Sequence, residues 1–262
     1  GAGVSMLVYY GGATIVLIRF LRSPAAPLRL QRVPFDWRHV RSILVVGLPA
    51  GFSALLSNMI GVVFTGTVGH FGADALVAFG IAARVDALLM PLLFAFGSAS
   101  TAMVAMNIGA GRLAHARRIA FVAAALSVGL VATIAALVFL WPEAWASTFS
   151  HEASVADLCA SYFHRVAPFY VFTGVGMALM FAGQGARVVL TPLVTSAVIL
   201  GLAIAVNFAA TRGPGIELTT VFWAIATGRL LFGAVMLVTP WVCRGWTKAG
   251  GTGTMPLSDA AI

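Results

Sequence analysis

The chain has 262 residues, 60% of them hydrophobic and only 9% charged, with a formal net charge of +8. A soluble domain carries roughly 25% charged residues, and with a mean hydropathy of +0.99 a water-soluble core cannot account for this composition. On a soluble surface the positive charge would suggest nucleic acid, but here the basic residues lie between apolar runs. That is the pattern that orients a membrane protein, and no nucleic-acid partner is expected.

Taken in chain order, apolar runs long enough to cross hydrocarbon as helices fall at about 4–20, 43–69, 75–107, 119–141, 161–184, 189–210 and 217–243. None sustains polar/apolar alternation, so a membrane β-barrel is not expected. The first run is followed by its positive cluster, the reverse of a signal peptide, and Gly1 in place of an initiator Met reads as a start partway through a longer protein. The stretch Pro34-Phe35-Asp36-Trp37-Arg38-His39-Val40-Arg41 reads either as the start of a short amphipathic helix, with Trp37 at headgroup level, or as a basic loop leading into the next span. From Gly245 onward a Gly/Thr-rich tail is expected to be disordered.

Basic residues give the orientation. Arg19, Arg22, Arg29, Arg32, Arg38, Arg41, Arg112, Arg117, Arg118, Arg187, Arg244 and Lys248 fall on one side of the spans, whereas Arg165 and Arg212 flank the other. The basic side is expected to be cytoplasmic, with the C-terminus inside. Cys159 is read as lying in an outer loop and Cys243 at the inner end of the last span, so a disulfide between them would have to cross the bilayer. An N-terminus outside and seven spans follow if five further spans precede this chain.

Polar residues inside spans are costly, which makes them the candidates for function. In the second span Ser53, Ser57, Gly61 and Thr65 recur every four residues, with Asn58 beside them; this stripe suits either close packing of small residues or the lining of a cavity. The fifth span carries Thr173, Met177, Met180 and Gln184 on one face, either plain core or a pocket for varied ligands, given the adaptable methionine side chain. The third places Asp86, Met90, Phe94, Gly97 and Thr101 at similar spacing, with a kink expected at Pro91. Arg229 lies near the middle of the last span, where a charge costs roughly 2.5–3.5 kcal/mol. It requires a partner, and Asp86 is the candidate. The two form a candidate intramembrane charge pair, unless Arg84 and Asp86 instead sit at the outer interface among headgroups. The five histidines and two cysteines show no metal-ligand spacing, and no phosphate-cradling Gly-Lys-Ser/Thr loop occurs, so neither a metal, a cofactor nor an enzyme activity is expected.

Several segments, in order and at matching spacing over about residues 36–243, resemble the multidrug and toxic compound extrusion (MATE) family. They are Asp36-Trp37 running into Gly47-Leu48-Pro49-Ala50-Gly51; Ala83-Arg84-Val85-Asp86, Pro91 and Asn107-Ile108-Gly109-Ala110-Gly111-Arg112; Ala167-Pro168-Phe169 and Gly174-Val175-Gly176-Met177; and Gly185-Ala186 with Thr191-Pro192. The resemblance implies an all-α integral membrane protein in which one six-helix transporter lobe is preceded by the end of an additional transmembrane helix. Residues 1–22 would be the last helix of a missing N-terminal lobe, 23–42 a basic cytoplasmic linker with a short amphipathic helix, 43–243 the C-terminal lobe and 244–262 a disordered cytoplasmic tail. It further implies a secondary antiporter of the cell membrane (a bacterial inner membrane on the family's habit) exporting organic cations or amphipathic drugs in exchange for H+ or Na+. Its partners would be the lipid bilayer, these substrates and the N-terminal lobe of the same polypeptide.

Two departures bear on mechanism. Val188-Val189-Leu190 stands where many members carry an Asp-Thr-Arg-like segment. Ser57-Asn58 and Val175-Gly176 stand where some cation-coupled members carry acids, so a coupling ion is expected mainly in the N-terminal lobe. A lipid-linked oligosaccharide or polysaccharide flippase of the same superfamily is an alternative, as is a seven-helix receptor or sensor. A retinal-bearing receptor is excluded, because the only lysine is Lys248, in the tail.

Overall fold

A computed structural model describes residues 2–23, 36–212, 216–243 and 246, and among these it contains helices and short connections but no strand. The expected linker at 23–42 and the expected tail at 244–262 fall largely outside the described residues. The chain divides into two compact units, residues 1–41 and 42–262. The first holds α1 (Ala2–Arg22), apolar along its length with Arg19 and Arg22 in its last turn, where cations complement the helix dipole. It also holds the beginning of α2 (Trp37–Gly69). Asp36 caps that helix by accepting the Arg38 N–H at 2.9 Å, so residues 37–41 of the segment read as amphipathic are the start of α2 itself, and 34–35 lie outside the described residues.

The second unit contains the remainder of α2, then α3 (Ala73–Gly109), α4 (Leu113–Leu140), the short α5 (Pro142–Ser147), α6 (Ala153–Val166), α7 (Tyr170–Gly185), α8 (Leu190–Arg212) and α9 (Leu218–Val242). Hydrocarbon offers backbone groups no partner, so apolar runs of this length close their hydrogen bonds internally as helices. Among the described residues seven helical segments are long and apolar enough to cross a membrane, the number read from the sequence, with ends moved by a few residues. The largest shift is in the fifth, which runs from Ala153 to Gly185 rather than starting near 161. Within it, a 3-10 turn at Ala167–Phe169 separates α6 from α7, because Pro168 has no N–H to continue the α-helical ladder. Cys159 is accordingly not in a loop: it is buried in α6, with its Sγ 3.5 Å from the Ala78 carbonyl of α3. Arg165, also within α6, folds back onto the Ser161 carbonyl and hydroxyl at 2.8 and 2.6 Å. α3 continues as one helix through Pro91.

Two helix ends are closed by the same hydrogen-bond pattern. Beyond α3, the Gly111 and Arg112 N–H groups bond to the carbonyls of Ile108 (2.9 Å) and Asn107 (2.8 Å), with Gly111 at φ 73°. Beyond α7, the Arg187 and Val188 N–H groups bond to those of Gln184 (3.0 Å) and Gly183 (2.7 Å), with Arg187 at φ 60°. This is the Schellman arrangement, which needs a left-handed residue just past the helix.

α7 is the central helix, packed against α3, α4 and α9. It stands close to them because small residues line the contacts. A Cβ on Gly233 of α9 would lie 2.5 Å from the Phe172 carbonyl oxygen, and one on Gly185 would collide with the Thr101 carbonyl of α3. Thr101 also donates its hydroxyl to the Phe181 carbonyl at 2.7 Å, joining α3 to α7. Two apolar clusters result. One, around Val85, Leu89, Tyr162, Phe163, Tyr170 and Phe222, ties α3, α6, α7 and α9 to α5. The other, around Val104, Ala120, Leu179, Ala182 and Met236, includes Trp246, a residue read as tail but found buried. Arg117 donates to the Trp246 carbonyl at 2.8 Å, and Thr191 lies 3.6 Å from the Cys243 sulfur. The C-terminal ends of α3, α7 and α9 and the N-terminal ends of α4 and α8 thus share one end of the bundle, with Arg112, Arg117, Arg118 and Arg187.

Replacing Gly233 with Ala forces α9 away from a backbone carbonyl and is expected to cost about 1–3 kcal/mol, the usual penalty of overpacking. Gly201→Ala, whose new Cβ meets nothing within 4 Å, should be neutral or slightly stabilising. Melting temperatures of the two variants in detergent check the difference; equal values would exclude the close α7–α9 contact.

Candidate functional site

Arg229 is carried by α9 about 17 Å from one end and about 20 Å from the other at 1.5 Å per residue, well inside the span. Its guanidinium loses hydration there, and two other helices, α3 and α7, supply replacements. Nη2 donates to Asp86 Oδ2 of α3 at 2.7 Å, and Nη1 donates to the Thr173 hydroxyl of α7 at 3.0 Å. The guanidinium carbon sits 4.2 Å from the centre of the Tyr170 ring, a cation–π contact. Arg229 and Asp86 retain 15% and 28% of their side-chain exposure, so the pair is shielded but not sealed.

The local sequence explains the convergence. Tyr170 and Thr173 are three apart on α7 and share a face; Arg84 and Asp86 are two apart on α3 and do not. Arg84 points outward over the Phe149 ring at 4.3 Å, the interfacial placement considered for both residues, whereas Asp86 turns into the bundle. Three buried polar atoms of the cluster make no hydrogen bond with the described residues: Asp86 Oδ1, Arg229 Nε and the Tyr170 hydroxyl. An acceptor, a donor and a group that is both thus stand together in an otherwise apolar lobe, a set suited to an ordered water or a polar group of a ligand.

The other candidates separate. Ser53 and Ser57 face α8, each 3.5 Å from the Ser196 hydroxyl, and Ser57 also bonds to the Ser53 carbonyl. Asn58 and Thr65 are exposed on α2 and turn their polar groups back to the Ala54 and Gly61 carbonyls. Thr173 joins the Arg229 cluster, while Met177 packs against the first apolar cluster and Met180 against the second. Gln184 is half-buried at the end of α7, and Met90 is exposed on α3. Two open grooves mark the lobe's surface, one between α8 and α9 and one between α4 and the Pro168 turn, and none of the candidates lines either. Among the described residues no group of three or more His, Cys, Asp or Glu could hold a metal. Tyr170 and Ser196 were not singled out from sequence. The three-residue spacing of Tyr170 from Thr173 is the signal that points to the former; nothing local marks the latter.

Helix lengths, apolar composition and a charge pair inside the bundle define an α-helical multi-pass membrane protein. The MatE family model matches residues 49–209, from within α2 into α8, and the chain belongs to that family. It is similar to a probable multidrug resistance protein NorM of Xylella fastidiosa, with 27% identity over 141 residues, 54% of this chain and 30% of that protein. It is also similar to the multidrug resistance protein PmpM of Pseudomonas aeruginosa, with 29% identity over 126 residues, 48% of this chain and 26% of that one. Among solved structures, a MOP-superfamily transporter from Pyrococcus furiosus superposes with a TM-score of 0.72 at 18% identity, covering 86% of this chain and 52% of that one. The Vibrio cholerae MATE transporter VcmN in its bent form gives 0.67 at 18% identity, over 82% and 48%. These likenesses show the fold, and the chain spans about half the length of the proteins it superposes on.

Removing Asp86 alone leaves Arg229 buried without its counter-charge, a change worth about 3–5 kcal/mol for buried pairs. Asp86→Leu is therefore expected to reduce the yield and melting temperature of folded protein sharply, whereas the double variant Asp86→Leu/Arg229→Met should recover most of both. Size-exclusion profiles and thermal melts in detergent decide this; single and double variants behaving alike would mean the pair carries no weight in folding.

Proposed function

We propose that this chain is the C-terminal lobe of a secondary antiporter that exports organic cations and other amphipathic drugs in exchange for H+ or Na+. It would work with an N-terminal lobe of the same polypeptide. The observation that carries this reading is the MatE match over residues 49–209, with relatives named as multidrug resistance proteins. In this reading Asp86 and Arg229 act as a latch: they tie α3 to α9 through α7 and rearrange when the lobe changes state. Ser53, Ser57, Asn58, Thr65, Met90, Thr173, Met177, Met180 and Gln184 remain the proposed contributors to the substrate cavity, completed by the opposite lobe. Ser57-Asn58 and Val175-Gly176 offer no carboxylate, so the coupling ion is assigned mainly to the N-terminal lobe.

The same proposal sets the protein in a cell membrane, a bacterial inner membrane by analogy with its relatives, with the C-terminus cytoplasmic. Arg112, Arg117, Arg118 and Arg187 at one end of the bundle support that orientation. A flippase for lipid-linked diphosphates is less well supported: Arg229 is already neutralised by Asp86, and Arg84 lies outside over Phe149. Family membership likewise weighs against the receptor reading.

Full-length protein expressed in a drug-sensitive, efflux-deficient bacterium is expected to expel a fluorescent organic cation in a gradient-dependent way. Export that persists without Na+ but collapses with an uncoupler would identify H+ as the coupling ion, and export lost on Na+ removal would identify Na+. Asp86→Asn, at matched amounts in the membrane, should lower the export rate at least about fivefold, the low end of usual coupling between sites. No export of any amphipath under either gradient would overturn the proposal.

A further inference from the structure

The turn from α7 into α8 brings together three features that the proposed export cycle does not use. The first is Arg187. Its backbone is pinned at φ 60° by the two hydrogen bonds that close α7, and its exposed side chain makes no hydrogen bond or ion pair with the described residues. The second is the N-terminus of α8, which begins at Leu190, three residues further on. Its positive dipole end favours an anion, although Pro192 in its first turn carries no N–H.

The third is the groove between α8 and α9, about 410 Å³ and almost wholly apolar. Leu190, Val194 and Val198 recur every four residues, so they form one face of α8, opposite Leu231 and Val235 of α9. The three α8 side chains are exposed by 44%, 60% and 54%, and no described residue of the lobe fills the groove. It extends from the basic end of the bundle, where Thr191 meets Cys243, to the level of Val198, a run of about 12 Å at 1.5 Å per residue.

Charge decides what fits. An apolar stripe alone would suit any hydrophobic surface, but an exposed arginine with no partner among the described residues and a helix N-terminus at the headgroup end of that stripe favour an anion attached to an acyl chain. We propose that the α8–α9 groove binds an anionic phospholipid. Its chain lies along Val194, Val198 and Val235, and its phosphate sits at Arg187 and the first turn of α8. Such basic sites between transmembrane helices are how membrane proteins recognise acidic headgroups.

The test uses purified, delipidated full-length protein and native mass spectrometry, with phosphatidylglycerol, phosphatidylcholine of the same chains, and inorganic phosphate as probes. Phosphatidylglycerol should be retained about fivefold over phosphatidylcholine, the effect of one arginine at an acidic surface. Arg187→Gly should erase that preference without lowering the lipid-free melting temperature, because glycine adopts a positive φ freely. Val198→Trp, at an exposed position, should fill the groove and weaken retention of both lipids, while Arg118→Ala at the same end should leave the preference intact. Equal retention of the two lipids, or a preference that survives Arg187→Gly, would overturn the proposal. So would loss of preference in Arg118→Ala, since general surface charge would then explain it. Inorganic phosphate displacing phosphatidylglycerol, with Val198→Trp having no effect, would reduce the site to one for small anions and equally overturn it.

Discussion

A guanidinium carried into the middle of α9 gives up its water, and the lobe can keep it there only by surrounding it with acceptors and a polarisable face. That constraint fixes more than one side chain. α3 must present Asp86, α7 must present Thr173 and Tyr170 from a single face, and α9 must hold its own rotation so that Arg229 reaches all three. Three helices are thereby set in depth and rotation by one buried charge. Asp86 Oδ1, Arg229 Nε and the Tyr170 hydroxyl make no hydrogen bond with the described residues, so the geometry is set by the Asp86, Thr173 and Tyr170 contacts above.

The packing around this cluster follows from the solvent. In a bilayer, apolar surface gains little by turning inward, since lipid tails are as apolar as leucine, so helices associate through close contact and interhelical hydrogen bonds. α7 meets both requirements. Gly185 and Gly233 let neighbouring backbones approach, and Thr101 bonds across to the Phe181 carbonyl. α2 meets neither to the same degree. Its hydroxyls and amide mostly turn back to its own carbonyls, and only Ser53, Ser57 and Thr67 reach α8, the last through Asn207 at 3.1 Å.

The Pro168 turn and the Arg187 turn bracket α7 and make it a short, separately oriented rod inside a longer crossing. Pro168 releases it from α6, so its face can be set by the charge cluster rather than by the direction of α6. Arg187 ends it with a left-handed residue that most proteins fill with glycine, at a conformational cost of roughly 1–2 kcal/mol. A basic side chain kept there in spite of that cost lies at the arginine-rich end of the bundle.

What the sequence determined by itself was everything carried by composition and period. The membrane class, seven spans, the clustering of arginines toward one side and the cost of Arg229 are local properties of the chain, and the acids are so few that Asp86 was the candidate partner for Arg229 before any geometry. What only the tertiary structure decided was which face of each helix turns inward. Asp86 and Arg229 are 143 positions apart and meet only because α3, α7 and α9 pack together. Tyr170 joins them for the same reason, and Met177 and Met180 go to two different apolar clusters although they share a stripe in the sequence. Span ends were misplaced where polar residues hid a helix: the fifth span, read from about 161, begins at Ala153 because α6 continues it outward past His164 and Asp157, and that places Cys159 in the core rather than in a loop. Hydropathy measures how apolar a segment is and is nearly blind to rotation about its axis, and that rotation is set by contacts between residues far apart in the chain.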